Sequence, residues 1–353
     1  MQSKFAKASA VVGLLLNSAS AITDHPDGLG GPAPCLDSYA VVKAADAVGG
    51  DPHLCHGLAA NGGGHVGVGS SKTKGEDFGS GDGFRGLIVR TNANCNYDTT
   101  DNILDRYPVL DGAGSACTNY KWATKLGGTG LNARANWVAA SSDNSFYIAV
   151  GVEQESTSVQ GSRMAIWKVN AADGTLVWKM NYGTAGTVTG LESVAFLSNG
   201  DLVVGGFTDS EGEMKDQYFK SGGQITMGKP FIAKIAASDV NGSTAPSAVA
   251  WSYSLDAADY TGSTKSLRVD GSDKIYAVVG AKSAAVKLNA DGTEVWKTGL
   301  INANAQMNDL TVNSDGTIAM TGHEYGKQET DCWFEGCGTI KGKVIKLDAS
   351  GNV

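Results

Sequence analysis

Past residue 21 the sequence holds no apolar run approaching the roughly 18 residues that a bilayer-crossing helix needs. Membrane insertion is therefore not expected. Arginine is scarce: Arg85, Arg90, Arg106, Arg134, Arg163 and Arg268 are all there are. Lysine and arginine together number 28 against 36 acidic residues, a net charge of −8. Nucleic acid and anionic membranes both demand basic surface, so neither is an expected partner. Stretches suited to long helices are few. No Ser/His/Asp or Cys/His set can be assembled from the five histidines. A catalytic triad is not expected, and no catalytic residue is assigned.

What is present begins at the N-terminus. Lys4 and Lys7 precede the apolar run Ala8–Leu16, and Ala19-Ser20-Ala21 follows it. A charged segment, a short apolar core and an A-x-A site predict a secretory signal peptide over residues 1–21, cut after Ala21. Its loss takes two lysines away and brings the net charge to −10. The expected location is secreted or cell surface. Residues 22–57 read as an irregular Gly/Pro-rich extension in which Val41–Lys43 could form one strand. Six cysteines, Cys35, Cys55, Cys95, Cys117, Cys332 and Cys337, read as disulfides in an exported chain. Six cysteines allow about fifteen pairings. Proximity favours Cys35–Cys55, Cys95–Cys117 and Cys332–Cys337. Asn241-Gly242-Ser243 is the one glycosylation sequon after the leader, and Asn241 sits in a polar loop.

The 48 glycines punctuate a repeat. Leu267–Trp296 (LRVDGSDKIYAVVGAKSAAVKLNADGTEVW) splits into short apolar runs separated by Asp-Gly and Gly turns, the pattern of antiparallel strands. The same unit recurs with a Gly closing strand two (Gly69, Gly151, Gly206, Gly280, Gly322) and a Lys in strand three (Lys168, Lys234, Lys287, Lys346). A Trp stands in strand four (Trp122, Trp178, Trp251, Trp296). A four-stranded unit at a period of about 45 to 75 residues is the signature of a propeller blade. The expectation is an all-β propeller over residues 58–353. Its four-stranded antiparallel blades start near 58, 137, 191, 267 and 310, and the last is incomplete. At Gly174→Trp178 and Gly292→Trp296 the Trp follows the turn glycine by four residues. That spacing places the next one past Val353. Either the sequence is a fragment, the favoured expectation, or the segment around Tyr39–Lys43 supplies the missing outer strand. The repeated Trp is read as packing between blades.

LNADGTEVWKTG, VNAADGTLVWKMNYG and KVIKLDASGNV resemble the repeat of secreted SBBP-type and quinoprotein-like (PQQ-like) β-propellers. The resemblance covers most of residues 130–353. It implies a propeller fold and an extracellular or cell-surface setting, with catalysis in only some branches. Quinone-dependent members need a calcium site, an Asp base and aromatic or cysteine contacts to the cofactor. This chain has no adjacent cysteine pair and only a shortened Trp-bearing turn. Sialidase-like glycosidases, the other enzyme weighed, place Gly two residues after the Asp of their turn. Here Gly174 and Gly292 follow Asp173 and Asp291 directly.

The Asp-Gly pairs at 173, 291 and 315 lack the alternating acidic ligands of a calcium loop and read as turns. His53, Cys55, His56 and His65 suggest mixed metal ligands, but in an oxidising compartment an oxidised Cys55 is the better reading, and no metal site is assigned. No cofactor is expected, with calcium the one ion left open for an adhesion role. Strand alternation puts the one–two and three–four turns on one face and the two–three loops on the other. The two–three loops, the short Ala281–Ser283 excepted, are long and acidic. They supply the candidate binding residues Asp77, Asp82, Glu153, Glu155, Asp209, Glu211, Glu213, Asp216, Glu324 and Trp333. The function expected is an extracellular binding or structural module for a protein or glycan partner. The alternative is a quinoprotein-like or glycan-active propeller enzyme. Acids and arginines converging in the central channel would favour the enzyme.

Overall fold

The computed structural model describes residues 51–59, 65–74, 82–91, 120–129, 131–154, 162–183, 188–210, 228–255, 260, 262–279, 283–302, 305–325 and 340–353. Four strands, β1 (Asp51–Ala59), β2 (His65–Lys74), β3 (Asp82–Thr91) and β4 (Tyr120–Leu126), form the first antiparallel sheet in that order. The second holds β5 (Ala133–Ala140), β6 (Phe146–Gln154), β7 (Ser162–Asn170) and β8 (Leu176–Tyr182). The third holds β9 (Val188–Phe196), β10 (Leu202–Ser210), β11 (Lys229–Ile235) and β12 (Trp251–Ser254). One parallel bridge, Ser162 to Val188, ties it to the second. The fourth is β13 (Thr264–Val269), β14 (Ile275–Val279), β15 (Ala284–Leu288) and β16 (Glu294–Lys297). The fifth has three strands, β17 (Ala305–Val312), β18 (Ile318–Tyr325) and β19 (Ile340–Leu347). Among the described residues the one helix is the five-residue α1 (Ala237–Asn241).

These sheets are the blades of a β-propeller, and the cores lie between them. Val68, Ile88, Trp122 and Leu126 of blade one meet Tyr147, Ala149 and Trp167 of blade two. Ile148, Val150, Ile166 and Trp178 meet Leu191, Val204 and Val240 of blade three. Val203 and Ile232 meet Leu267, Ala277 and Val286, and Tyr276 and Val278 meet Met307, Met320 and Ile345. Both faces of an interior blade are thus buried, so its central strands are nearly continuous apolar runs. All of β6 except Gln154 is buried.

β1 starts at Asp51, ahead of the start near 58 read from the sequence. DPHLCHG carries no alternation of apolar and polar residues, and pairing with β2 makes it a strand. The strand-two glycines also differ from the sequence reading. Gly69, Gly151, Gly206 and Gly322 do not end their strands, which run on to Lys74, Gln154, Ser210 and Tyr325. Each stands opposite a bulge in strand one, at Leu54/His56, Ala135/Trp137, Ser193/Leu191 and Met307/Asp309. A Cβ built on Gly151, Gly206 or Gly322 would come closer than 3.0 Å to a strand-one carbonyl, that of Arg134, Gly190 or Gln306. The bulged backbone leans into the space a side chain would take.

The strand-four Trp, and Lys168 among the strand-three lysines, lock neighbouring blades. The Trp122 indole N–H donates to the Ala171 carbonyl (3.2 Å), Trp251 to Ala290 (3.2 Å) and Trp296 to Ala349 (3.0 Å). The turn glycine of the next blade, with φ +76° at Gly174, +86° at Gly292 and +88° at Gly351, lies flat on each ring. In blade three α1 replaces that tight turn. Trp178 donates to Gly242 (3.2 Å), and the Lys168 ammonium is capped by the carbonyls of Val240, Asn241 and Gly242 at 2.9, 3.1 and 3.1 Å. Burial lowers the Lys168 pKa from its ordinary value. Lys234 pairs with Asp201 (2.9 Å), and Lys287 lies 4.8 Å from the Tyr276 ring centroid.

The Asp turns are closed by their own carboxylates. Asp173 Oδ1 accepts from the Thr175 N–H (2.9 Å), and Asp291 and Asp315 accept from the N–H and hydroxyl of Thr293 and Thr317. These bonds favour the ionised acid and pull all three pKa values down. Asp143, held by the Ser141 hydroxyl and by Ser145, falls to about 2. A depressed folded pKa contributes stability that is complete above the unfolded value, about 4, and is lost as pH falls through the folded value. Thermal midpoints should therefore be flat above about pH 5 and decline between about 4 and 2. In Asp143→Asn the loss over that window should be shallower. Melts followed by circular dichroism in pH steps check this.

Candidate binding site on the inner strands

Strand one of each sheet packs against strand one of the next, β1 on β5, β5 on β9, β9 on β13 and β13 on β17, so these strands surround the axis. In blades two to five the bulge squeezes one extra residue out of the ladder: Asn136 on β5, Glu192 on β9, Lys265 on β13 and Asn308 on β17. Trp137, Ser193, Ser266 and Asp309 follow them. A bulge re-aims side chains in this way, and here it does so at one level in every blade.

Arg268 of β13 organises the group. Its Nη2 pairs with Asp309 Oδ1 at 2.7 Å, and its Nη1 donates to Ser266 Oγ (3.0 Å) and the Leu267 carbonyl (2.8 Å). Ser266 Oγ donates to the same Asp309 oxygen at 2.6 Å. The guanidinium also lies 5.1 Å from the Trp137 ring centroid, within cation–π range. Trp137 belongs to blade two and Arg268 to blade four, so the contact spans the axis past blade three. Asn136 Nδ2 donates to the Leu191 carbonyl (2.7 Å), and Lys265 Nζ lies 3.7 Å from Glu192 Oε1. On β17 Asn308 contacts the His323 ring at 3.4 Å. Burial lowers the His323 pKa and favours the neutral ring.

Two of the acidic residues expected on the long connections are described in full, and both are paired. Glu153, at 0% exposure, accepts from Lys179 Nζ (2.9 and 2.8 Å), Asn181 Nδ2 (3.0 Å) and the Gly128 N–H. Glu324, two residues past its strand glycine as Glu153 is, accepts from Lys343 Nζ (2.9 Å) and Asn302 Nδ2 (3.3 Å). The Lys343 and Asn302 hydrogen bonds pull the Glu324 carboxyl below its ordinary value. The pairing places both where β6 and β18 run into their two–three connections. Asp82 and Asp209 have backbones in β3 and β10, and Cys55 and His56 in β1; their side chains lie outside the described residues. So do Asp77, Glu155, Glu211, Glu213, Asp216, Trp333, Cys35, Cys95, Cys117, Cys332, Cys337, the leader and Tyr39–Lys43. Asn241 is exposed at the end of α1, with its carbonyl pinned by Lys168.

The sequence reading passed over the inner-strand belt. One signal for it was present: Trp137 breaks the rule that places the tryptophans in strand four.

No protein-family model matches the chain, and no curated protein does. Among solved structures it is similar to a protein of unknown function from Bacteroides caccae. That match has 12% identity and a TM-score of 0.43, over 86% of this chain and 80% of that one. The α-L-arabinofuranosidase of Fusarium graminearum matches at 10% identity and a TM-score of 0.47, over 84% and 76% of the two chains. The hydrazine synthase of Kuenenia stuttgartiensis matches at 9% identity and a TM-score of 0.45, over 75% of this chain. This chain spans 59% of that protein's. At these identities the likeness is one of fold at most, and the propeller stands on the five sheets themselves.

Proposed function

We propose that this chain is a secreted or cell-surface β-propeller of the SBBP-like or quinoprotein-like kind. It binds an extracellular partner at the axial end where strands one begin and the long connections leave. Asn241, exposed at the three–four end of blade three, would carry an N-glycan away from that end. The cysteines would staple the irregular segments.

The charge pairing on the inner strands carries this reading. Arg268 is paired with Asp309, Ser266 and the Leu267 carbonyl while its side chain stays 32% exposed, and Glu192 faces Lys265. Converging charges on the axis would suit an enzyme as well; here each is held by a neighbouring strand, as in a fixed recognition surface.

The purified chain should be retained on an array of extracellular polysaccharides and matrix proteins. It should release no reducing ends and reduce no dye when supplied with quinone, calcium and an alcohol. Arg268→Ala should lower retention by about tenfold, the size of one lost charge-assisted contact. Turnover in either assay would replace this reading with the enzyme.

A further inference from the structure

Asparagine followed by glycine is the pair most prone to closing on itself. The glycine nitrogen attacks the asparagine side-chain carbon, and no side chain of its own stands in the way. Two such pairs lie among the described residues, Asn199-Gly200 and Asn241-Gly242. The first is tied down. Asn199 Nδ2 donates to Asp201 Oδ2 (3.0 Å), Asn199 Oδ1 accepts from the Asp201 N–H (2.9 Å), and the Gly200 N–H donates to the Leu197 carbonyl at 3.0 Å. The second is loose at the reacting atoms. Asn241 is exposed, its carboxamide has no partner among the described residues, and the Gly242 N–H reaches the Asp239 carbonyl only at 3.3 Å. Its main chain is held from outside. The Lys168 ammonium of blade two gathers the carbonyls of Val240, Asn241 and Gly242, and the Trp178 indole N–H donates to that of Gly242 as well.

The geometry points to Asn241-Gly242 as a self-modification site on which Lys168 acts as a brake. The Gly242 nitrogen gives its proton to solvent and bonds to Asn241 Cγ. The Cγ–Nδ2 bond breaks, and the amide nitrogen takes a proton and leaves as ammonia. Water then opens either carbonyl of the cyclic imide, giving aspartate or isoaspartate. Water is the one co-reactant, and no bound partner is required. The short α1 keeps the nitrogen away from Cγ, so attack requires rotation about the Asn241 Cα–C bond. That rotation swings the Asn241 carbonyl off Lys168 and gives up one charge-assisted hydrogen bond, a slowing of about tenfold or more. Isoaspartate carries the main chain through a side-chain carbon. It lengthens the chain beside Val240, which is fully buried in the core shared by blades two and three, so conversion loosens that lock. An N-glycan would occupy Nδ2 and block its departure, so the two modifications exclude each other.

The full chain, produced without glycan, would be held in warm, mildly alkaline buffer made with heavy-oxygen water and digested at intervals. Trypsin leaves Asn241 in the peptide ending at Lys265 and Asn199 in the one ending at Lys215. Mass spectrometry follows the label entering each peptide, and fragmentation separates aspartate from isoaspartate. Asn241 should convert at least about tenfold faster than Asn199. Lys168→Met keeps an apolar stem beside the Phe146 ring; it should speed Asn241 by about tenfold and leave Asn199 as it was. Gly242→Ala, at a φ of −62° open to any L residue, puts a methyl on the attacking unit and should slow Asn241 severalfold. Equal rates at the two asparagines of the unaltered chain would overturn the proposal, and so would a Lys168→Met chain in which Asn241 is no faster. Should Lys168→Met speed both asparagines alike, the blade has opened as a whole and Gly242→Ala decides: slowed conversion upholds the site, and unchanged conversion overturns it.

Discussion

Gly151→Ala and Gly206→Ala are expected to be, with Gly322→Ala, the most damaging single-methyl changes in the described chain. The added carbon overlaps a main-chain carbonyl, Arg134 or Gly190, which is fixed by its own ladder and cannot swing away as a side chain would. Relief requires the strand-one bulge to flatten. That would carry Asn136 or Glu192 back into register and flip the residues beyond it onto the wrong face. A loss upwards of about 3 kcal/mol is expected for either variant. Gly271→Ala, with nothing within 4 Å of the new carbon, should stay within about 0.5 kcal/mol of the parent. Urea midpoints and soluble yield of the three proteins check the order. Equal stability of Gly206→Ala and Gly271→Ala would show that the bulge is not a fixed part of the blade.

The second large effect is expected at the blade-to-blade lock. Trp122 is 7% exposed and touches Tyr147 with ring centroids 6.1 Å apart; its N–H bonds Ala171, and Gly174 lies on its face. Trp122→Ala opens a cavity between two blades and should cost about 3 to 5 kcal/mol. Trp122→Phe keeps most of the area but leaves the Ala171 carbonyl without this donor, and should cost about 1 to 2 kcal/mol. Gly174→Ala attacks the same contact from the other side. The new carbon would stand 2.6 Å from the indole, at a φ of +76° that L side chains rarely adopt. The double variant Trp122→Phe/Gly174→Ala should be less damaged than the sum of its parts, since both act on one contact. Chemical denaturation of the four proteins provides the cycle.

Much of this architecture was legible because the same residue types recur at the same strand positions from blade to blade. The strand-four tryptophans and strand-three lysines fall where the repeat put them, and the Asp-Gly turns have glycine at positive φ as turn chemistry requires. The strand-two glycines were seen but misread. A glycine ending an apolar run looks like a stop, and its true role depends on a bulge in another strand that local pattern does not reveal. The start of β1 falls earlier than the expected 58 for the related reason that its partner, not its composition, makes Asp51–Gly57 a strand. The axial belt was hidden because bulge residues have no common type: Asn136, Glu192, Lys265 and Asn308 share a position, not a chemistry. The acidic residues of the long connections drew attention by composition, yet Glu153 and Glu324 are each paired with a lysine that sequence distance conceals.

The claim that a partner is held on the inner strands is tested most directly by hydrogen exchange. Peptide-resolved amide exchange would be measured on the chain alone and saturated with whichever array component retains it. The account predicts slowed exchange in peptides covering 133–140, 188–196 and 264–269, with the outer strands 176–182 and 294–297 unchanged. Protection confined to those outer strands, with the inner strands exchanging as before, would contradict it.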